Sequence, residues 1–156
     1  VAANTAKTGI TTDQSDAIVA NTAKVGYTEP TYSSNTYEAE LGGYVIQISS
    51  DGKHGLVVAM QDQGISNWYE ANDLLSNPSN HDADGKEFSD WRLPTKRELN
   101  LVYNQKSNIV GDFFGIYWSS TEYDNNNAWA QISFDGSQVN DIGKDYPSGV
   151  RAVRAF

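Results

Sequence analysis

The chain has 156 residues, no Cys, two His and a formal net charge of −9. The lack of Cys excludes disulfides, thiol catalysis and thiolate metal sites, and two His exclude a three-His metal site within one chain. The acidic balance argues against nucleic acid and anionic membranes as partners, and no apolar run approaches the roughly 20 residues of a membrane span. Because the chain opens on Val1, we expect it to be a piece of a longer protein.

The N-terminal segment contains a repeat with an offset of 17 residues. ANTAKTGIT at 3–11 recurs as ANTAKVGYT at 20–28, with seven of nine positions identical. Each unit is predicted to be a short helix with Thr12 as an N-cap, and its apolar stripe is only one residue wide. Such a stripe is buried if identical chains bundle, as in a coiled coil. We therefore predict a trimerising stalk over 1–28, with a frayed tail as the alternative.

The remainder of the chain is predicted to be an α+β domain over 41–156, joined to the stalk by a polar linker over 29–40. The Asp-Gly pairs at 51–52 and 135–136 are turn signals that predict two hairpins. Helices and hairpins follow one another without βαβ alternation, which disfavours a parallel sheet. The strand-like runs are 44–48, 55–60, 117–120, 128–134, 138–142 and 150–156.

Two helices are predicted between these hairpins. The first covers 68–76 and places Trp68 and Leu75 on one apolar face. The second opens with Thr95 and Glu98, which match the S/T-x-x-E capping box. A polar loop is expected between the two helices.

Several motifs follow one another along the domain: GGYV at 42–45, DGKHGLV at 51–57, WRLPT at 91–95 with EL at 98–99, YWSSTE at 117–122, AW at 128–129 and VRAVRAF at 150–156. In this order they resemble the C-type-lectin-like superfamily, most closely the branch shared by formylglycine-generating enzymes and bacterial collagen-like surface adhesins. The resemblance implies a C-type-lectin-like domain of two helices and twisted antiparallel sheets. It also implies binding rather than catalysis, because the enzymes of that branch depend on Cys or on three His, which this chain lacks.

The closing segment has an unusual composition. Residues 119–149 are mostly Ser, Asn, Asp, Tyr, Gly, Ala, Ile and Val, and no Lys or Arg lies between Lys106 and Lys144. This resembles the variable region of proteins diversified by retroelements, and antibody paratopes use similar residue types. An ordinary polar hairpin end is the alternative. The predicted ligand-binding residues are Asp124, Asn125, Asn126, Asn127, Gln131, Asn140, Asp141, Ile142, Asp145, Tyr146 and Ser148.

Aromatic and charged residues outside that set have structural interpretations. Trp118, Trp129 and Phe134 are expected to form a rigid framework beneath the ligand-binding residues, and core packing is favoured over sugar stacking for the Trp residues. His54 is expected at a hairpin tip rather than as a general base. The arginines Arg92, Arg151 and Arg154 are expected to pair with local carboxylates such as Asp90 or Glu98.

The acidic loop after the first helix offers a possible calcium site. The start of an EF-hand is present at 80–85, but its twelfth position is Trp91 rather than Glu. We expect no cofactor and no metal, with a structural calcium as the less favoured alternative to a solvated acidic loop. The oxygens for that calcium would come from Asp82, Asp84, Glu87 and Asp90.

Together these features predict a non-enzymatic receptor-binding tip of an extracellular trimeric fibre, as in phage tail fibres, contractile injection systems or surface adhesins. The expected partner is a cell-surface protein or glycan, bound with avidity by a homotrimer. A structural cap of the fibre is the alternative. A glycan hydrolase is a lesser alternative and needs two carboxylates, taken from Asp82, Asp84, Glu87, Asp90 and Glu122.

Overall fold

The structure, a computed structural model, describes residues 11–22, 29–109, 113 and 115–156, with the side chains of 18–22 left outside the description. The chain divides into two units, Val1–Pro30 and Thr31–Phe156. Nearly all of the predicted repeat, and the apolar stripe on which the stalk depends, lie outside the described residues. The stalk therefore stays a prediction.

The first unit contains one described helix, α1 (Thr12–Thr22). Its N-cap is Thr11 rather than the predicted Thr12. Thr11 Oγ1 accepts a hydrogen bond from the Gln14 backbone N–H at 3.2 Å, and Gln14 Oε1 accepts one from the Thr11 N–H at 2.9 Å. Thr12 cannot be the cap because it is already the first helical residue, and the capping oxygen must come from the residue before it.

The second unit has a four-stranded antiparallel sheet that consists, in spatial order, of β1 (Tyr37–Glu38), β2 (Gly43–Ile48), β3 (Gly55–Val58) and β9 (Val153–Ala155). The predicted hairpin at Asp51 is confirmed: Gly52 has φ 73°, and Asp51 Oδ1 accepts from the Lys53 N–H at 3.0 Å. Part of the segment predicted to be a linker, 29–40, contacts the domain: β1 lies within it, and Tyr32 N donates to Gly52 O at 2.8 Å.

A five-stranded sheet consists, in spatial order, of β4 (Gly64–Ser66), β8 (Ser148–Val150), β5 (Ile116–Glu122), β6 (Asn127–Ile132) and β7 (Gln138–Gly143). Its β5–β8 pair is parallel, and the other pairs are antiparallel. The hairpin predicted at 135–136 joins β6 to β7. One strand was expected over 150–156, but two form, each in a different sheet.

The split of the C-terminal strand has a clear physical cause. Between β8 and β9, the Ala152 N–H donates to the side chain of Gln63 at 2.6 Å, so it is not available to a neighbouring strand. Arg151 is fully buried and donates to Ala59 O at 2.8 Å. Its guanidinium also forms an ion pair with Asp62 at 2.6 Å. These contacts bend the chain from one sheet to the other.

The helices of this unit are α2 (Ala71–Ser76) and α3 (Lys96–Asn104). α2 begins three residues later than predicted, because Asn67 Oδ1 accepts from the Glu70 N–H at 2.9 Å and holds the preceding residues in a turn. The predicted capping box of α3 is confirmed in both directions, with Thr95 and Glu98 exchanging hydrogen bonds. Short 3₁₀ turns lie at Ala39–Leu41, Pro78–Asn80 and Gly85–Glu87.

The core consists of two hydrophobic clusters. One joins α2 to both sheets around Trp91 and Trp118, and the other packs α3 against both sheets. Both Trp residues are buried, as predicted, and each indole N–H donates to a backbone carbonyl. Trp68 is half-buried. The prediction for Phe134 is wrong: its side chain is 91% exposed.

The predicted structural role of the arginines is confirmed. Arg92 forms a bidentate pair with Glu98, both bonds being 2.7 Å, and Arg154 pairs with Asp90 at 2.7 Å. The partner of the third arginine, Asp62, was not identified from the sequence. Its position depends on a contact between residues far apart in the chain.

Candidate functional site

The turn between β5 and β6 is built by one carboxylate. Asp124 Oδ1 accepts from the backbone N–H groups of Asn126 and Asn127, each at 2.8 Å. The Asn127 side-chain amide also donates to both Asp124 oxygens, at 3.1 and 3.0 Å. These hydrogen bonds, with that from the Asn127 side chain the strongest, lower the pKa of Asp124 and keep it ionised.

The end of β7 lies beside this turn. Asn127 is in register with Gly143, and the Lys144 N–H donates to Asn126 O at 2.8 Å. Ala128 pairs with Ile142 and Ala130 with Val139, so Asn140 and Asp141 together oppose the single residue Trp129. This two-against-one arrangement is a β-bulge, which bends the strand and turns its side chains to new directions. Two predicted segments, 124–127 and 140–142, therefore lie next to one another. The third, 145–146, follows the end of β7 in a turn in which the Tyr146 N–H donates to Gly143 O at 2.8 Å.

The Lys144 side chain contacts both the β5–β6 turn and its neighbouring segments. Its side chain is 3% exposed, and Nζ lies 2.5 Å from Glu122 Oε2, 2.9 Å from Asp124 O and 3.2 Å from Asn125 O. The ammonium also lies 4.9 Å from the centre of the Trp68 ring, and Trp68 N donates to Lys144 O at 2.8 Å. The turn, the end of β5 and the segment before α2 are thus joined through one residue.

Most predicted ligand-binding residues are accessible. Asn127, Asn140 and Ile142 are half-buried. The exposed ones are Asp124, Asn125, Asn126, Asp141, Asp145 and Tyr146.

The prediction is wrong for Gln131 and Ser148, which are 0% and 3% exposed. β6 packs one face against α3, and the Gln131 amide there donates to Asn100 Oδ1 and Gly136 O, both at 3.1 Å. Ser148 is the first residue of β8, a strand with neighbours on both sides. Residue type suggested a contact surface at both positions, but burial removes them from it.

Sequence reasoning missed an aromatic neighbour of the turn. Tyr123 is 56% exposed, and its ring meets the half-buried Trp129 edge to face with centroids 6.0 Å apart. Lys96 Nζ lies 3.0 Å from the centre of the Trp129 ring. Tyr123 directly precedes Asp124, so its position in the variable-looking segment was the available signal. We call the exposed set Tyr123, Asp124, Asn125, Asn126, Asp141, Asp145 and Tyr146 the recognition surface.

The carboxylates of the acidic loop have separate partners. Asp82 Oδ1 accepts from the Gly85 N–H at 2.6 Å, and Asp90 pairs with Arg154. Asp84 accepts a hydrogen bond from the Tyr37 hydroxyl, which, together with burial, raises the pKa of Tyr37 to about 12. Among the residues that the structure describes, no group of three His, Asp or Glu side chains could hold a metal ion.

The two histidines lie in different environments. His54 is exposed next to the β2–β3 turn, as expected from the sequence. His81 is buried, with Nε2 2.8 Å from Leu75 O and its ring stacked on Trp91 at 5.2 Å. That contact gives His81 a packing role.

Within the described residues, every helix is too short or too polar to cross a bilayer. No curated protein sequence matches the chain significantly. A family model described as the Lcl C-terminal domain, which is associated with tail- and adhesin-like proteins, matches residues 47–154. That match covers more than half of the chain, including β3, the five-stranded sheet and both helices of the second unit, and the chain therefore belongs to the Lcl C-terminal domain family.

Proposed function

We propose that this chain is a non-enzymatic, ligand-binding end domain of an extracellular trimeric fibre, such as a phage tail fibre, a contractile injection system or a surface adhesin. Its partner is a cell-surface protein or glycan of a target cell, and it binds through the recognition surface. It binds no nucleic acid and inserts into no membrane. The family match supports a fibre- or adhesin-like role in general terms.

The observation that carries the proposal is the contrast between a fixed backbone and free side chains. The turn backbone is held by Asp124 and Lys144, while Asn125, Asp141 and Tyr146 extend into solvent. A rigid backbone lowers the entropy lost on binding, and Tyr and Asn supply broad contact and adaptable hydrogen bonding. A surface of this kind suits recognition better than a loop that must order itself first.

The finer parts of the proposal depend on resemblance. The domain is C-type-lectin-like, the repeat over 1–28 forms a trimeric stalk, and the segment 119–149 is diversified by a retroelement. Three copies on one stalk convert weak single-site binding into avidity through effective concentration. The residue types of 119–149 support diversification, since they are those produced by randomising Asn codons.

Carboxylates named as candidates for a glycan hydrolase form structural contacts instead, which favours a binding role. Glycoside hydrolysis needs two carboxyl groups facing one substrate across a defined gap. Asp84 is bonded to Tyr37, Asp90 to Arg154 and Glu122 to Lys144. Each of these three carboxylates therefore serves a different structural contact.

Arrays of glycans and of cell-surface proteins test the proposal. The surface variant carries Asn125→Ala, Asp141→Ala and Tyr146→Ala, and the matched control variant carries three alanines at other exposed positions: Asp73, Ser79 and Asn104. We expect the wild-type chain and the control to bind the same array members and the surface variant to lose them, because truncated central contacts typically cost about 1–4 kcal/mol. Equal binding by all three proteins, or binding to neither array, would favour the structural cap.

A further inference from the structure

Lys144 carries a buried positive charge inside the recognition surface. A buried ammonium is costly unless its charge is compensated and its donors are used. Lysine has three N–H donors, and three oxygens surround this one: Glu122 Oε2, Asp124 O and Asn125 O. All the donors of the group are therefore matched.

The three oxygens differ in kind but converge on one point. One is a carboxylate oxygen from the end of β5, and two are consecutive backbone carbonyls of the turn. Carboxylate and carbonyl oxygens are the ligands that hard cations take in loop sites. The rings of Trp68 and Tyr69, with centroids 4.9 and 5.9 Å from Nζ, add attraction to a cation.

We propose that Lys144 is the positioning residue of the recognition surface, and that its ammonium acts as a built-in cation where a loop of this type could otherwise bind an external one. The two carbonyls point inward to the ammonium, which fixes the backbone from which Asn125 and Asn126 are displayed. The surface then forms without a metal. This inference rests on the proposed function in one respect only: the proposed function is what gives the turn a role in ligand binding.

A chemical-rescue experiment follows from this arrangement. Lys144→Ala removes the ammonium and three methylenes and leaves an oxygen-lined space that propylammonium fits. Tetramethylammonium has the same charge but no N–H donor, so it separates hydrogen bonding from charge. The matched control is Lys106→Ala, because Lys106 Nζ also donates to a backbone carbonyl, Ser133 O at 2.8 Å, beside the other hairpin.

Amide hydrogen exchange of Asn126 and Asn127 in the full chain is the readout, and it needs no ligand. Charge-assisted hydrogen bonds contribute about 1.5–3 kcal/mol, so we expect exchange to quicken about ten- to hundredfold in Lys144→Ala. Propylammonium should restore protection, and tetramethylammonium should not. Lys106→Ala should leave these two amides unchanged, and a chelator should leave the wild-type chain unchanged.

Three results would overturn the inference: unchanged exchange in Lys144→Ala, equal rescue by both ammonium ions, or faster exchange of the wild-type turn with chelator. If Lys144→Ala does not fold, Glu122→Gln keeps the acceptor oxygen and removes the charge, and it should quicken exchange of the same two amides about tenfold. No change in that variant would equally reject the inference. If exchange of the turn amides depends on Lys144 but the surface variant binds the arrays as the wild type does, the proposed function fails and this inference stands.

Discussion

Trp118 and Phe134 show how far residue type alone can mislead. Both are aromatic residues at or beside strands of the five-stranded sheet, and both were expected to form the framework. Trp118 is 0% exposed and donates its indole N–H to Ser66 O at 3.1 Å, whereas Phe134 is 91% exposed. The difference arises because Trp118 lies within β5, between two neighbouring strands, and Phe134 lies at the tip of the β6–β7 hairpin.

This difference predicts opposite results for two alanine substitutions. Trp118→Ala should lower the free energy of unfolding by about 3–5 kcal/mol, because it leaves a large cavity and an unpaired carbonyl. Phe134→Ala should change it by less than about 0.5 kcal/mol, because folding buries almost none of the Phe134 side chain. Urea denaturation of the two variants checks both values. A large loss for Phe134→Ala would mean that its ring packs against something.

At the scale of single residues, local patterns predicted the site in part. Asn and Asp in the turns were correctly expected at the surface, because short polar side chains favour turns. Gln131 and Lys144 look equally polar in the sequence and yet are buried. Only the packing of α3 and of Trp68 against them explains this, and neither contact is visible in a local pattern.

At the scale of elements, signals contained in a few residues were dependable. The Asp-Gly turns and the Thr95–Glu98 capping box each depend on neighbours within four positions, and each forms as predicted. β4 was not identified, and β8 and β9 were not separated, because both depend on Gln63 meeting Ala152 across most of the chain. Hydrophobic periodicity does not predict contacts between residues that lie so far apart in the sequence.

The capping box of α3 gives a pH-dependent prediction. Hydrogen bonds from Arg92 first, and then from Thr95, lower the pKa of Glu98 from 4.5 to about 2. A carboxylate with a lowered pKa stabilises the fold above its ordinary pKa, and that contribution is lost as the pH falls from about 4.5 toward 2. Glu98→Gln should therefore cost about 1 kcal/mol at pH 7 and progressively less on acidification.

Denaturation of wild type and Glu98→Gln at pH 7, 5 and 3 measures this difference. Glu40→Gln is a suitable control, because Glu40 is an exposed carboxylate in the first 3₁₀ turn, and its substitution should change stability by less than about 0.5 kcal/mol. A cost for Glu98→Gln that does not decrease with acidification would show that the pair with Arg92 does not depend on charge.

At the scale of the whole molecule, the two units are proposed to have different tasks. The repeat over 1–28 predicts association, and the domain from Thr31 onward is proposed to recognise a partner. We expect the full chain to sediment as a trimer and residues 31–156 alone to sediment as a monomer. Analytical ultracentrifugation of both samples at high concentration checks this. A monomeric full chain would remove the fibre from the proposal but not the recognition surface.

The central claim is that the recognition surface can be altered without cost to the fold and that its side chains determine what is bound. Its most direct test is a display library randomised at Asn125, Asn126, Asp141, Asp145 and Tyr146, compared with an equal library at the exposed positions Glu40, Asp73, Ser79, Lys86 and Asn104. Both libraries are selected for protease resistance and then for binding to a panel of unrelated immobilised proteins. We predict that most members of both libraries fold and that new binders come from the first. Widespread protease sensitivity in the first library, or equal recovery of binders from the two, would contradict the claim.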